Sequence, residues 1–100
     1  MDNHITDEKL AHYFDVTGRA LKKVKLNDQA DINIKEAAQD FFDMASRYYT
    51  DADYFAKKGD IVNAFAALSY AHGWLDAGAR IGLFDVDNDN VLFTVDDDKK

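Results

Sequence analysis

The sequence has no cysteine and no proline, and only five of its 100 residues are glycine. Without cysteine, neither a disulfide nor a thiolate can contribute, which is typical of proteins from a reducing compartment. Without proline, no helix of the chain is interrupted by a missing backbone N–H. No stretch approaches the roughly 18 apolar residues of a membrane span, and the first residues lack the basic start and apolar run of a secretory signal. We therefore expect a cytoplasmic protein that makes no membrane contact.

The remaining composition predicts one folded domain over residues 1–100. Hydrophobic residues make up 47% of the chain and aromatic residues 13%, far from the low hydrophobicity that keeps a chain disordered. The net charge is −7, so the chain repels phosphate backbones and we expect no nucleic-acid partner. One local basic group is better explained by the dipole at a helix end than by a ligand site; it consists of Arg19, Lys22, Lys23 and Lys25.

Apolar residues recur every three or four positions in three segments, which predicts helices at about residues 7–26, 33–58 and 60–81. Thr6 is the expected N-cap of the first helix, and Asn33 that of the second. The polar residues between the first two helices are typical of a turn. The expected fold class is therefore all-α.

The second and third helices are separated by Lys58, Gly59 and Asp60, where Gly59 ends one helix and Asp60 caps the next. So short a connection makes these two helices antiparallel neighbours. The third helix carries a stripe of small and apolar residues, namely Ala64, Leu68, Ala71, Leu75, Gly78 and Gly82. The sequence predicts a three-helix up-and-down bundle with a short extended C-terminal tail over residues 83–100.

The tail contains a β-prone run at residues 91–95. A lone strand is not stable. Either Leu92 and Phe93 fold back over one end of the bundle, beside Leu83 and Phe84, or the run pairs along its open edge with another chain. We favour the folded-back form.

An acidic turn precedes this run and provides weak metal candidates. Asp85, Asp87 and Asp89 reproduce the alternating acidic start of a calcium loop. The twelfth position of that loop holds Asp96 in place of the bidentate glutamate, and no periodic helix follows. An acidic surface turn is the favoured interpretation, with weak calcium binding by residues 85–96 as an alternative.

His72, Asp76 and Arg80 are four residues apart and share one helix face, where they can form a ladder of hydrogen bonds. One hypothesis is a small anionic-ligand or catalytic site, in which Asp76 orients His72 and Arg80 binds a carboxylate or phosphate. The favoured alternative is structural, with these side chains satisfying one another at the edge of the core.

Trp74 lies about 200° around the same helix from His72, at about 100° per residue. An exposed tryptophan marks a protein interface, although in a small bundle the core is its more common place. No Gly-x-Ser-x-Gly sequence and no His-Glu-x-x-His spacing occurs. We therefore predict no catalytic residue, no cofactor and no metal site beyond the weak candidates above.

Several runs of the second and third helices resemble a known family. They are Tyr48-Tyr49, Asp51-Ala52-Asp53-Tyr54-Phe55, Lys58-Gly59-Asp60, Ala64-Phe65-Ala66 and Tyr70-Ala71-His72-Gly73-Trp74-Leu75-Asp76-Ala77-Gly78-Ala79-Arg80-Ile81-Gly82-Leu83-Phe84. Over roughly residues 10–95 the chain resembles the archaeal domain-of-unknown-function family 357. The resemblance implies a cytosolic, archaeal three-helix up-and-down bundle, and it implies no established activity.

The favoured functional hypothesis is a non-enzymatic interaction module. Its third helix, together with the edge of residues 91–95, would face a protein partner or a second copy of the chain. The anionic-ligand or catalytic site and the calcium site remain the two alternatives.

Overall fold

The computed structural model describes residues 4–26, 32–86, 89 and 91–93. Within these residues the chain forms three helices and two short strands: α1 Asp7–Lys23, β1 Lys25–Leu26, α2 Ile32–Lys57, α3 Ile61–Arg80 and β2 Phe84–Asp85. The most extensive contact joins α2 to α3, and α1 packs more on α3 than on α2. The predicted all-α three-helix bundle is confirmed.

α1 begins where the sequence predicts and ends earlier. The Thr6 side chain accepts a hydrogen bond of 3.0 Å from the Lys9 backbone N–H, as an N-cap does. The predicted end at residue 26 is wrong, because Val24 is extended and the next two residues form β1. β1 pairs with β2 in antiparallel register, with Lys25 opposite Asp85. β2 thus provides hydrogen-bond partners for the backbone of β1. The spacing of apolar residues along the sequence does not predict this pairing between distant segments.

α2 begins close to the predicted start, but the predicted N-cap Asn33 is wrong. α2 begins at Ile32, so Asn33 already lies inside its first turn. A capping residue needs an extended backbone, which a residue within the helix does not have. Several residues of the preceding polar stretch have side chains that cap as well as asparagine, so residue type alone does not locate this helix start. Residues 27–31 lie outside the described residues.

Local sequence rules place the turn between α2 and α3 correctly. Gly59 has a positive φ of 77°, and its N–H donates to the Ala56 carbonyl at 3.0 Å. The Asp60 N–H donates to the Phe55 carbonyl at 2.9 Å, which completes a Schellman end. The Asp60 carboxylate then accepts from the Asn63 N–H at 3.3 Å and caps α3.

The core consists of two hydrophobic clusters along α3. Leu68 belongs to one cluster and Leu75 to the other, and their exposed fractions are 1% and 0%. Leu10 and Ala52 share the first cluster with Leu68. α1 and α2 thus both contribute to the cluster around Leu68, and the tail joins the cluster around Leu75.

The tail folds back over the end of the bundle, as predicted. Leu92 and Phe93 are buried in the same cluster as Leu83 and Phe84. Residues 91–93 form a turn and a bend rather than a strand, and residues 94–95 lie outside the described residues. The apolar residues of this run are therefore buried without forming a strand, because an apolar side chain can cover the core from a turn as well as from a strand.

Gly78 on α3 allows this packing. The Phe84 ring lies so close to it that a Cβ atom at residue 78 would be 2.6 Å from the Phe84 Cδ2 atom. Gly73, one and a half turns earlier on the same helix, has nothing within 4 Å of the equivalent position. The two glycines therefore have opposite packing environments.

We expect Gly78→Ala to lower the free energy of unfolding by about 1–3 kcal/mol, because the added methyl group overpacks the core against Phe84. Gly73→Ala is the matched control, and it should raise the free energy of unfolding by about 0.5–1 kcal/mol because alanine favours a helix interior. Chemical denaturation followed by circular dichroism measures both. Equal stability of the two variants would contradict this account of Gly78.

Candidate functional site

An open groove of about 390 Å³ lies between α2 and α3. We call it the α2–α3 groove. It is lined by Phe41, Ser69, Tyr70, Gly73, Trp74 and Ala77. Apolar side chains with a few polar groups are the usual lining of binding sites.

Two aromatic pairs bridge the helices at this groove. The Phe41 and Trp74 rings meet edge to face with 4.9 Å between their centroids. The Tyr48 and Tyr70 rings are stacked, at 5.2 Å. From the first pair to the second, the residue number rises on α2 and falls on α3. The two helices are therefore antiparallel. Such pairs add about 0.5–1.5 kcal/mol each beyond their buried area, so they hold the walls of the groove in place.

The groove faces away from α1. Tyr13 of α1 packs edge to face on Phe65 of α3, with a centroid separation of 4.8 Å. Trp74 follows Phe65 by nine residues, which places it on the opposite side of α3 at 3.6 residues per turn. Trp74 is therefore the groove residue farthest from α1, whereas Ser69, one turn after Phe65, is the one nearest to it.

This side of α3 is apolar and accessible. Tyr70 is 63% exposed, Gly73 and Ala77 are exposed as well, and Trp74 is half-buried. The only charged residues of α3 are Asp76 and Arg80, and neither lines the groove. A helix that is apolar on all sides is normally covered on all sides, and an exposed apolar patch is typical of an interaction surface.

The structure separates His72 from Trp74. His72 follows Phe65 by seven residues and so lies on the α1 side of α3. Its half-buried ring stacks on Phe93 of the tail, with 6.4 Å between centroids. His72 thus contacts the buried tail, away from the α2–α3 groove.

Asp76 is half-buried and Arg80 is exposed, and each makes an interaction within the chain. Neither of them, nor His72, lines the α2–α3 groove. The anionic-ligand or catalytic site around these three residues stays a prediction. Of the four predicted site residues, Trp74 lines the α2–α3 groove and the other three do not.

The calcium candidates are only partly described. Asp89 has a structural role, because its carboxylate accepts hydrogen bonds from the backbone N–H groups of Val91 and Leu92, at 3.0 and 3.1 Å. Asp87 lies outside the described residues, and so does Asp96. In the part of the chain that the structure describes, no three acidic, histidine or cysteine side chains are grouped to hold a metal ion. The calcium site stays a prediction.

A second groove, of about 270 Å³, lies between α1 and α2. It is lined by Phe14, Asp15, Gly18, Arg19, Leu21, Lys22 and Tyr49. The Tyr49 hydroxyl donates to the Phe14 carbonyl oxygen at 3.3 Å, and a Cβ atom at residue 18 would lie 2.8 Å from that hydroxyl. Gly18 therefore makes room for the hydrogen bond. In the same groove Arg19 forms an ion pair with Asp15, with 3.6 Å between the guanidinium nitrogen and the carboxylate oxygen.

A family model described as a protein of unknown function (DUF357) matches residues 12–84. The chain belongs to this family. The predicted resemblance is confirmed, over a slightly shorter span than expected. The DUF357 match contains both walls of the α2–α3 groove and ends at Phe84, before the buried tail residues Leu92 and Phe93. A search of curated proteins and a search of solved structures gave no match. None of the helices in the described ranges has the length and apolarity that a membrane span needs.

Sequence reasoning did not find the groove itself. It predicted that Trp74 could mark an interface, but it did not predict that Phe41 of α2 packs against that residue. The available signal was the near absence of charge from α3, together with Tyr70, Trp74 and Ala77 at helical spacing. That spacing marks a second apolar side of the helix in addition to the core side.

Burial of the Tyr49 phenol, with the nearby carboxylates of Asp53 and Asp15, raises the pKa of Tyr49 above its ordinary value of 10.0. Because the pKa of Tyr49 is higher in the folded chain than in the unfolded chain, its neutral phenol stabilises the fold at pH values below the unfolded-state pKa. This stabilisation is lost as the pH rises through the folded-state pKa. We expect the free energy of unfolding to decrease above about pH 10, and Tyr49→Phe to lack this part of the decrease. Tyr54→Phe is the control, since it removes an exposed tyrosine and retains Tyr49.

Denaturation measured at several alkaline pH values tests this expectation. If Tyr49→Phe and Tyr54→Phe lose stability equally with pH, the phenol of Tyr49 is not the group that titrates.

Proposed function

We propose that this DUF357 chain is a non-enzymatic interaction module that binds a protein surface at the α2–α3 groove. The exposed apolar side of α3 is the observation that supports the proposal. Trp74 and Tyr70 are residue types that contribute strongly to binding when a partner desolvates them. Gly73 and Ala77 have small side chains, so a partner can approach the backbone of α3 closely.

The proposal carries two expectations from the sequence with it. The cysteine-free, acidic composition favours the cytoplasm, and it disfavours nucleic acid as the partner. Two aromatic pairs fix the walls of the groove, so the bundle presents a rigid surface to a partner.

Site-specific photo-crosslinking tests the proposal. A photoreactive phenylalanine analogue at Tyr70, in the cells that naturally produce the protein, should give a discrete protein adduct. The same analogue at Ala11, an exposed position of α1, should give none. Ala77→Arg, combined with the analogue at Tyr70, should abolish the adduct because the long cationic side chain occupies the groove, while arginine retains a high helix propensity.

Ala11→Arg is the matched control for that substitution, and it should leave the adduct unchanged. If no adduct forms at Tyr70, or if Ala77→Arg and Ala11→Arg affect it equally, the α2–α3 groove is not an interaction surface.

A further inference from the structure

The residues that the structure describes after β2 form a turn of their own. The Asp89 N–H donates to the Val86 carbonyl at 3.1 Å, and the Phe93 N–H donates to the Asp89 carbonyl at 3.2 Å. The Asp89 carboxylate accepts from the N–H groups of Val91 and Leu92. Every hydrogen bond that the structure describes for residues 89 and 91–93 therefore stays within this segment. We call Val86, Asp89 and residues 91–93 the strap.

The strap is held on the bundle by apolar side chains. Leu92 and Phe93 are 6% and 3% exposed, and Val86 is buried in the same cluster around Leu75. The Phe93 ring also stacks on His72 of α3. Because the hydrogen bonds of residues 89 and 91–93 are internal, the strap can leave the helices with its own turn intact, and the cost is the exposure of these apolar side chains to water.

The chain is fixed differently just before the strap. The Leu83 N–H donates to the Gly78 carbonyl of α3 at 2.8 Å, and Phe84 of β2 is paired with Leu26 of β1. Backbone hydrogen bonds thus join the chain to the bundle as far as β2. The DUF357 match ends at residue 84, so the strap lies beyond the part of the chain that the family model matches. After β2 the attachment changes from backbone pairing to side-chain burial.

The helices keep much of their packing without the strap. The buried residues that the structure describes in the cluster around Leu68 all come from α1, α2 and α3. In the cluster around Leu75, the partly buried side chains of Phe41, Phe42 and Trp74 pack from α2 and α3. The contact between these two helices is the most extensive of the fold. Departure of the strap would therefore uncover one end of the bundle and leave the helices in place.

We propose that the strap is a conformational device that opens and closes over the end of the bundle while the three helices stay packed. Its opening uncovers the His72 ring and the adjoining side of the cluster around Leu75, a surface distinct from the α2–α3 groove. Segments with few buried contacts open locally in this way, and the conformational entropy lost on ordering opposes closure. This inference goes beyond the interaction function proposed above and does not depend on it.

Native-state hydrogen exchange in the purified full chain, followed by NMR, tests the proposal. The amides of Leu92 and Phe93 report on the strap, and the amide of Leu68 reports on the helices. Because the strap can open without unfolding of the helices, the two strap amides should exchange at least about 100-fold faster than the Leu68 amide, after correction for intrinsic exchange rates.

Two matched substitutions show whether the faster exchange is opening of the strap. Phe93→Leu weakens contacts that are lost both when the strap opens and when the whole chain unfolds, so it should accelerate all three amides by a similar factor, roughly three- to tenfold. Phe55→Leu removes the same kind of ring from the cluster around Leu68. Its contacts persist while the strap is open, so only the Leu68 amide should accelerate, and the strap amides should change by less than about twofold.

Three results would overturn the proposal. Strap amides that exchange as slowly as the Leu68 amide would show that the strap opens only when the whole chain unfolds. An equal response of the strap amides and the Leu68 amide to Phe55→Leu would show the same. Strap amides that do not respond to Phe93→Leu would show that they exchange by fraying of the turn while the side chain of residue 93 stays buried.

Discussion

The covering of α3 is the constraint on which the rest of the structure depends. A helix of 20 residues with only two charged side chains cannot be left in water without a large loss of hydrophobic stabilisation. α2 and α1 together cover the side that carries Leu68 and Leu75, α1 also covers the side of Phe65, and the tail covers the end near Gly78. The remaining side is the α2–α3 groove, so the proposed interaction completes a burial that the single chain leaves unfinished.

The sequence predicted the features that depend on neighbouring residues. Gly59, Asp60 and Thr6 set helix ends through hydrogen bonds that span three to five residues, and these ends were predictable from residue type and spacing. The pairing of β1 with β2 was not predictable, because the backbone register of Leu26 opposite Phe84 joins segments far apart in the sequence. Asn33 shows the limit even of local rules, since several neighbouring residues can cap a helix equally well.

The candidate site was predictable only in part, for a similar reason. Trp74 and His72 were both identified on α3, and helical spacing correctly placed them on different sides. Both sides carry aromatic residues, so the sequence could not show which one α1 covers. The packing of Tyr13 on Phe65 decides this, and it is a contact between helices. His72 consequently lies beside the tail, and Trp74 lies in the groove.

The central claim is that the outer side of α3 is an interaction surface, and solvent paramagnetic NMR tests it most directly. A soluble gadolinium complex attenuates the signals of exposed amides, and the attenuation is compared between the isotope-labelled protein alone and the same protein in an unlabelled extract of the cells that produce it. The account predicts that attenuation at Tyr70, Gly73 and Ala77 decreases in the extract, while attenuation at Ala11 does not change. Equal attenuation of the three α3 amides in both samples would contradict it.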